Sequence, residues 1–244
     1  MVEKINQQIR GSRSYGQFCA LARSLDVVGD RWTLLIAREL LPGPMRYTEL
    51  KTSLEGIATN LLSERLKTLE ANGIVERRLE DSGVVYALTS WGAGLREPME
   101  ALGRWGAPLL ATGRGEDAFQ PRWLTLALPA LLRGATATPP VELGIETDGF
   151  LMVLRVDEDG PSAFVPDRDP ASVFTAAPDV VVALAAGAIS IEQAIAAGAF
   201  RGDSNVLRTA IDPPRPGGEP AARSRKSPER GRQHPPQTSA AQPH

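Results

Sequence analysis

The sequence predicts an α+β protein whose first half is built on two consecutive helices closed by a β-hairpin. Three observations carry that expectation. From Thr48 to Leu54 a short amphipathic piece sets Leu50 and Leu54 four residues apart. After the tight connection Glu55-Gly56-Ile57-Ala58, the stretch Thr59–Asn72 places Leu62, Leu66 and Leu69 at spacings of four and three, the repeat of a single helical face. Gly73 follows where a left-handed cap would stop that helix. Two strand-like runs, Ile74-Val75 and Val84-Val85-Tyr86, then flank the turn Leu79-Glu80-Asp81-Ser82-Gly83. Helix, turn, helix and hairpin is the order of a winged helix-turn-helix, in which the second helix enters the DNA major groove and the hairpin lies along the backbone.

The elements before this unit read as its scaffold. Between Cys19 and Leu41, one apolar stripe holds Leu21, Leu25 and Val28, and another holds Trp32, Leu35, Ile36 and Leu40. Gly29-Asp30 separates them, with Asp30 as the expected N-cap of the second helix. Pro42-Gly43-Pro44 ends it. Residues 1–18 read as a polar arm. After the hairpin, residues 90–113 read as one helix on which Leu95, Met99, Leu102, Trp105 and Leu109 recur, with Pro98 marking a kink or boundary.

Composition narrows the function classes. With 42% hydrophobic and 23% charged residues in 244, the chain has the make-up of a globular protein with ample core. No run of eighteen apolar residues and no signal-peptide core occur, so the expectation is a cytoplasmic protein without membrane contact. Both histidines, His234 and His244, lie in the final tail, and Cys19 is the single cysteine. That removes histidine acid/base chemistry, a Ser-His-Asp triad and ordinary zinc sites from the folded part. No phosphate-binding glycine loop is present. The expectation is no enzyme, no catalytic residue, no metal and no cofactor. Charge is segmental. Residues 1–115 hold 15 Lys+Arg against 13 Asp+Glu, residues 116–212 hold 6 against 14, and residues 213–244 hold 6 against 2. The acidic middle segment is a poor partner for phosphate, which confines any DNA contact to the first part.

The residues then carry a specific resemblance. Leu25-Asp26-Val27-Val28-Gly29-Asp30-Arg31-Trp32-Thr33-Leu34-Leu35-Ile36, Arg46-Tyr47-Thr48-Glu49-Leu50, Leu62-Ser63-Glu64-Arg65-Leu66, Leu69-Glu70-Ala71-Asn72-Gly73-Ile74-Val75-Glu76-Arg77 and Tyr86-Ala87-Leu88-Thr89 resemble the HxlR family over about residues 15–110. These are bacterial winged-helix regulators related in fold to the MarR group. The resemblance implies a homodimer that binds double-stranded operator DNA, usually as a repressor. It also implies that the helix after the hairpin helps build the dimer. At the wing tip, where members often carry proline, this chain has Asp81-Ser82-Gly83, and the acid there disfavours deep minor-groove insertion.

With Leu62, Leu66 and Leu69 turned inward, the opposite face of the recognition helix presents Thr59, Asn60, Ser63, Glu64 and Lys67. Asn60 and Ser63 have the groups to bond base edges, and Lys67 suits a phosphate or guanine. Thr59 marks the helix N-terminus, whose N–H groups suit phosphate. Arg46 and Thr48 open the preceding helix; Arg77 and Arg78 lie at the wing. The bland alternative is a solvated polar face. Cys19 also has two readings. Relatives sense oxidants or electrophiles through a cysteine near this position, and a thiol at a helix N-terminus is activated; equally, a single cysteine is often a small core hydrophobe.

The second half, residues 116–212 after the linker Gly113-Arg114-Gly115, reads differently. An apolar helix Trp123–Arg133 is interrupted at Pro129. Strands are expected at Val141–Glu146, Phe150–Val156 and Ser162–Val165, turning at Asp157–Gly160, with another within Asp169–Thr175. Two short helices, Pro178–Gly187 and Ile191–Gly198, follow. The closing string from Leu184 to Asp203 resembles sterol-carrier-protein-2-like domains, which implies a five-stranded sheet, an apolar tunnel and a hydrophobic small-molecule effector. Residues 213–244, with eight prolines, read as a disordered tail. The resulting expectation is a winged-helix domain at 1–113, an effector domain at 116–212 and a tail, acting as a dimeric regulator that answers an apolar ligand or, through Cys19, oxidants. The alternative is a lipid carrier in which the winged helix only dimerises.

Overall fold

A computed structural model describes residues 14–81, 83–110 and 114–211. The start of the N-terminal arm, wing-tip Ser82, linker Gly113 and the tail from Pro213 lie outside these. The first half runs α1 (Ala20–Val28), α2 (Thr33–Leu40), β1 (Met45–Arg46), α3 (Tyr47–Ser53), α4 (Thr59–Ala71), β2 (Val75–Glu80) and β3 (Gly83–Leu88). The three strands form an antiparallel sheet in the order β1-β3-β2. Leu62, Leu66 and Leu69 of α4 are buried with Ile36, Leu50 and Ile57 in one core, so the helix is held by its leucine face. It ends as its sequence requires. Gly73 adopts φ +68°, Ile74 N–H bonds the Leu69 carbonyl at 2.9 Å and Gly73 N–H the Glu70 carbonyl at 3.0 Å, a Schellman cap.

Three local expectations change. Asp30 is not the N-cap of α2. That position belongs to Trp32, at φ +80°, because the Asp30 carbonyl already turns the chain by accepting Thr33 N–H at 3.2 Å. The Asp30 carboxylate instead meets Arg65 of α4 at 2.9 Å. The hairpin is longer than its apolar runs, pairing from Val75↔Leu88 to Glu80↔Gly83; ladder bonds satisfy the polar stretch Arg77–Glu80 on an edge that water also reaches. Over residues 90–110, the described part of the expected helix 90–113, the chain is not one helix. These residues divide into α5 (Ser90–Ala93), α6 (Arg96–Gly106) and a 3₁₀ turn, Ala107–Leu110. Thr89 caps α5 by accepting Gly92 N–H at 3.0 Å and ties it back by donating to the Gly73 carbonyl at 2.6 Å. A Cβ at Gly92 would stand 2.1 Å from the Ile74 carbonyl oxygen, so only glycine permits this approach. Pro98 sits in the first turn of α6, where a missing N–H costs no helical bond.

The second half opens with a 3₁₀ turn (Pro121–Trp123) and α7 (Leu124–Leu131). It continues through β4 (Val141–Thr147), β5 (Phe150–Asp157), β6 (Gly160–Phe164), β7 (Val173–Thr175), α8 (Pro178–Ala185), α9 (Ile191–Ala197), β8 (Ala199–Arg201) and α10 (Ser204–Ile211). Its five strands lie in the order β6-β5-β4-β7-β8, with β4 and β7 parallel. The sheet and helices share a second core that includes Leu128, Leu143, Met152, Leu154, Phe174 and Leu207. Pro129 does not interrupt α7. Lacking an N–H, it leaves the Thr125 carbonyl without a helical donor, and Arg96 of α6 fills that place at 2.9 Å. β8 and α10 were not expected; three residues and two turns are too short for a clear period. The described residues belong to one compact unit although they hold two cores. Among them, no helix is long and apolar enough to cross a membrane.

Candidate nucleic-acid interface

The candidate surface starts at α4. With its leucines buried, Thr59, Asn60, Glu64 and Lys67 are exposed along the other side. Lys67 makes no ion pair among the described residues, so its ammonium remains available to an anion. Ala58 precedes the helix without a side-chain cap, leaving the first N–H groups of α4 for water or an acceptor such as phosphate.

Ser63 is placed differently from its neighbours. It is half-buried, its hydroxyl 3.1 Å from the Tyr47 hydroxyl and 3.0 Å from the Thr59 carbonyl. Tyr47 Oη also donates to that carbonyl at 2.8 Å. Ser63 and Tyr47 thus dock α3 onto the first turn of α4, and Asn60 is left as the amide that projects freely. Arg65 plays a matching part further along, tying α4 to the α1–α2 junction through Asp30. Tyr47 and Arg65 were missed in the sequence. The only signal for Arg65 is its position on the flank of the leucine stripe.

The sheet sorts the remaining cations. Arg46↔Val85 and Arg78↔Val85 are register partners, so Arg46 and Arg78 share one face across β1-β3-β2. Arg77 pairs with Tyr86 and therefore points to the other face, where its guanidinium meets Glu70 of α4. Arg78 is bound by Glu76, with Nε to Oε1 at 2.8 Å. Both wing arginines must exchange a carboxylate for any phosphate they contact. Thr48 is exposed in the first turn of α3, beside Arg46, whose N–H is capped by Glu49 at 2.6 Å. At the described part of the tip, Glu80 and Asp81 are exposed beside the apolar pair Leu79 and Val84. The set therefore divides into a helix face (Thr59, Asn60, Glu64, Lys67), an exposed pair at the start of α3 (Arg46, Thr48) and three residues, Ser63, Arg77 and Arg78, already engaged with neighbours.

Away from that surface, Cys19 is exposed at the N-terminus of α1. The backbone N–H of Ala22, and then that of Leu21, hold its thiol below the ordinary value, the effect expected where helix N–H groups meet a forming thiolate. On the second half, the outer face of the sheet carries a cavity of about 320 Å³ bordered by Glu146, Leu151, Val173, Phe200 and Arg201.

The HxlR-like helix-turn-helix model matches residues 27–113, from α1 to just past α6. The HTH-type transcriptional regulator YvaP of Bacillus subtilis (strain 168), itself uncharacterised, is 34% identical over 86 residues, 34% of this chain and 80% of that protein. The chain belongs to the HxlR-like helix-turn-helix family. The HTH-type transcriptional regulator YodB of the same organism is 35% identical over 85 residues, 34% of this chain and 76% of YodB. A solved structure of quinone-bound YodB covers 36% of this chain and 96% of that one, with a TM-score of 0.33. The HxlR-like match takes in α4, the sheet and α6; the second half lies beyond it.

Proposed function

We propose that this chain is a sequence-specific, DNA-binding transcription regulator that acts as a homodimer, most simply as a repressor. The observation that carries the reading is the two-sided build of α4. Its leucine face is sealed into the core, while Asn60 stands exposed beside an uncapped helix N-terminus and Lys67 stands exposed further along the same helix. Major-groove reading needs such a rigid helix with a polar outer face. In this reading Asn60 reads a base, Glu64 accepts from an exocyclic amine, Thr59 and Lys67 meet phosphate, and Arg46, Thr48, Arg77 and Arg78 contact the backbone. Ser63 acts mainly by holding α3. The exposed Leu102, Trp105 and Leu109 support a second copy against α6, which would set two recognition helices about 10 bp apart, or a multiple of that, on a near-palindromic site.

Selection of bound sequences from a random duplex pool, followed by affinity measurements on selected and scrambled duplexes, tests this. The reading predicts a clear preference that weakens as salt rises. Equal affinity for both duplexes contradicts it and favours the carrier alternative.

A second input is favoured by Cys19, whose exposed and acidified thiol suits oxidants or electrophiles. With one cysteine per chain, oxidation would end in a mixed disulfide, an adduct or a bridge between subunits. Loss of DNA affinity on treatment with a quinone, abolished by Cys19→Ser, is the expected outcome; an unchanged response in that variant removes the thiol from the reading. The second half serves as the effector domain in this scheme. Its outer cavity mixes Glu146 and Arg201 with Leu151 and Phe200, a lining for an amphipathic rather than a wholly apolar molecule.

A further inference from the structure

Glu39, the residue before the last of α2, has a fully buried side chain although it belongs to an otherwise modest helix end. Burying a carboxylate is costly unless charges and donors surround it. Those that surround Glu39 come from its neighbour Arg38 and from the second half. Trp123 Nε1 donates to Oε1 at 2.7 Å and Arg122 Nε stands 3.6 Å from Oε2, while Arg38 adds bonds to Oε1 at 3.0 and 2.7 Å. The Arg38 guanidinium also lies over the Trp123 ring at 3.9 Å, close enough for a cation–π contact.

The same short segment reaches two helix ends. Arg122 Nη2 donates to the Glu39 main-chain carbonyl at 3.0 Å, and Gln120 Nε2 donates to the Ser53 carbonyl at 3.2 Å. Both carbonyls lie in the last turn of a helix, α2 and α3, where intrahelical donors have run out and the dipole favours a cation. Residues 120–123 thus cap the C-termini of two consecutive helices. The far end of α3 carries Tyr47, which is bonded to the first turn of α4. A continuous chain of contacts therefore runs from Gln120 through α3 to the place where Asn60 projects. The segment lies outside residues 27–113, so it is not part of the matched family region.

We propose that Gln120, Arg122 and Trp123 form a clamp through which the second half sets the position of α3, and with it the N-terminal turn of the recognition helix, with Glu39 as the buried anchor. These are positioning residues for DNA binding, and the proposal rests on the DNA-binding reading above. Releasing the clamp lets α3 shift against α4. Contacts that need a fixed helix, those to bases, then weaken more than contacts that need only charge.

The test uses the full chain with Gln120→Ala, Trp123→Phe and their combination. Phenylalanine keeps an aromatic ring for Arg38 while removing the indole N–H together with part of the ring system. Hydrogen exchange without DNA reads the clamp itself, and the affinity ratio between selected and scrambled duplexes reads its consequence. The combined variant is expected to exchange faster over residues 50–58, with the strands of the second half unchanged. Its affinity for selected DNA should fall about tenfold, a common size for coupling between sites, while affinity for scrambled DNA stays level. Glu39→Gln keeps an acceptor for Trp123, so its effect should be smaller, and it should not add to that of Trp123→Phe because the two share one bond. A wild-type preference that survives intact in the combined variant overturns the clamp alone. Absence of any preference in the wild type overturns the DNA reading first and the clamp with it, whatever the exchange data show.

Discussion

α4 and α6 carry the same apolar rhythm and meet opposite surroundings. Along α4, Leu62, Leu66 and Leu69 are 0–1% exposed; along α6 and the turn after it, Leu102, Trp105 and Leu109 are 51%, 78% and 75% exposed. Only Met99 of α6 is buried. Period alone says which side chains share a face and leaves open what covers it. For α4 the cover is the chain's own core, and the polar side is left for a ligand. For α6 the apolar side stays exposed among the described residues, which is the condition expected of a surface that meets another copy.

That contrast breaks down, or sharpens, under substitution. Leu66→Ala should cost most, about 2–5 kcal/mol of fold stability, because it opens a cavity in a closed core; a loss below about 1 kcal/mol in denaturant melts would show that α4 is not anchored by its leucines. Trp105→Ser should leave the unfolding of the monomer almost unchanged but raise the dimer dissociation constant about thirtyfold or more, since truncating a buried interface aromatic commonly costs at least about 2 kcal/mol. Sedimentation at graded concentrations separates the two effects, and an unaltered oligomeric state would refute the contrast. Lys67→Ala should weaken selected and scrambled DNA alike and reduce the salt slope by about 1, with no effect on folding. The smallest effect on the fold belongs to Cys19, which is exposed at the head of α1. The thiolate is the reactive form and its folded value is lowered. Alkylation should therefore rise and level off at a lower pH than for a free cysteine thiol, and a profile matching the free thiol would remove the activating role of the Ala22 and Leu21 N–H groups.

The parts of the molecule legible in the sequence are those decided within a few residues. The leucines of α4, the glycine cap at Gly73 and the polar side carrying Asn60 and Lys67 all follow from spacing along one helix. What escaped is set by partners far along the chain. Ser63 looks like a base reader until Tyr47, sixteen residues earlier, takes its hydroxyl. Arg77 and Arg78 look equivalent until strand register turns them to opposite faces. Pro129 breaks a helix by local rules, yet α7 continues because Arg96 supplies the missing donor. Nothing near Glu39 in the sequence marks it for burial, since the tryptophan that bonds its carboxylate lies eighty-four residues away. The inside of the second half is open to the same limit: strand and helix patterns identify inward side chains, while whether those side chains meet or leave a gap depends on packing.

The most direct measurement of the central claim compares wild type and Asn60→Ala on selected and scrambled duplexes at one salt concentration. Asparagine bonding a base edge contributes about 1–3 kcal/mol of discrimination, so the variant should bind the selected duplex roughly tenfold or more weakly and the scrambled duplex unchanged. Equal weakening on both, or none on either, would contradict the assignment of α4 as the reading helix.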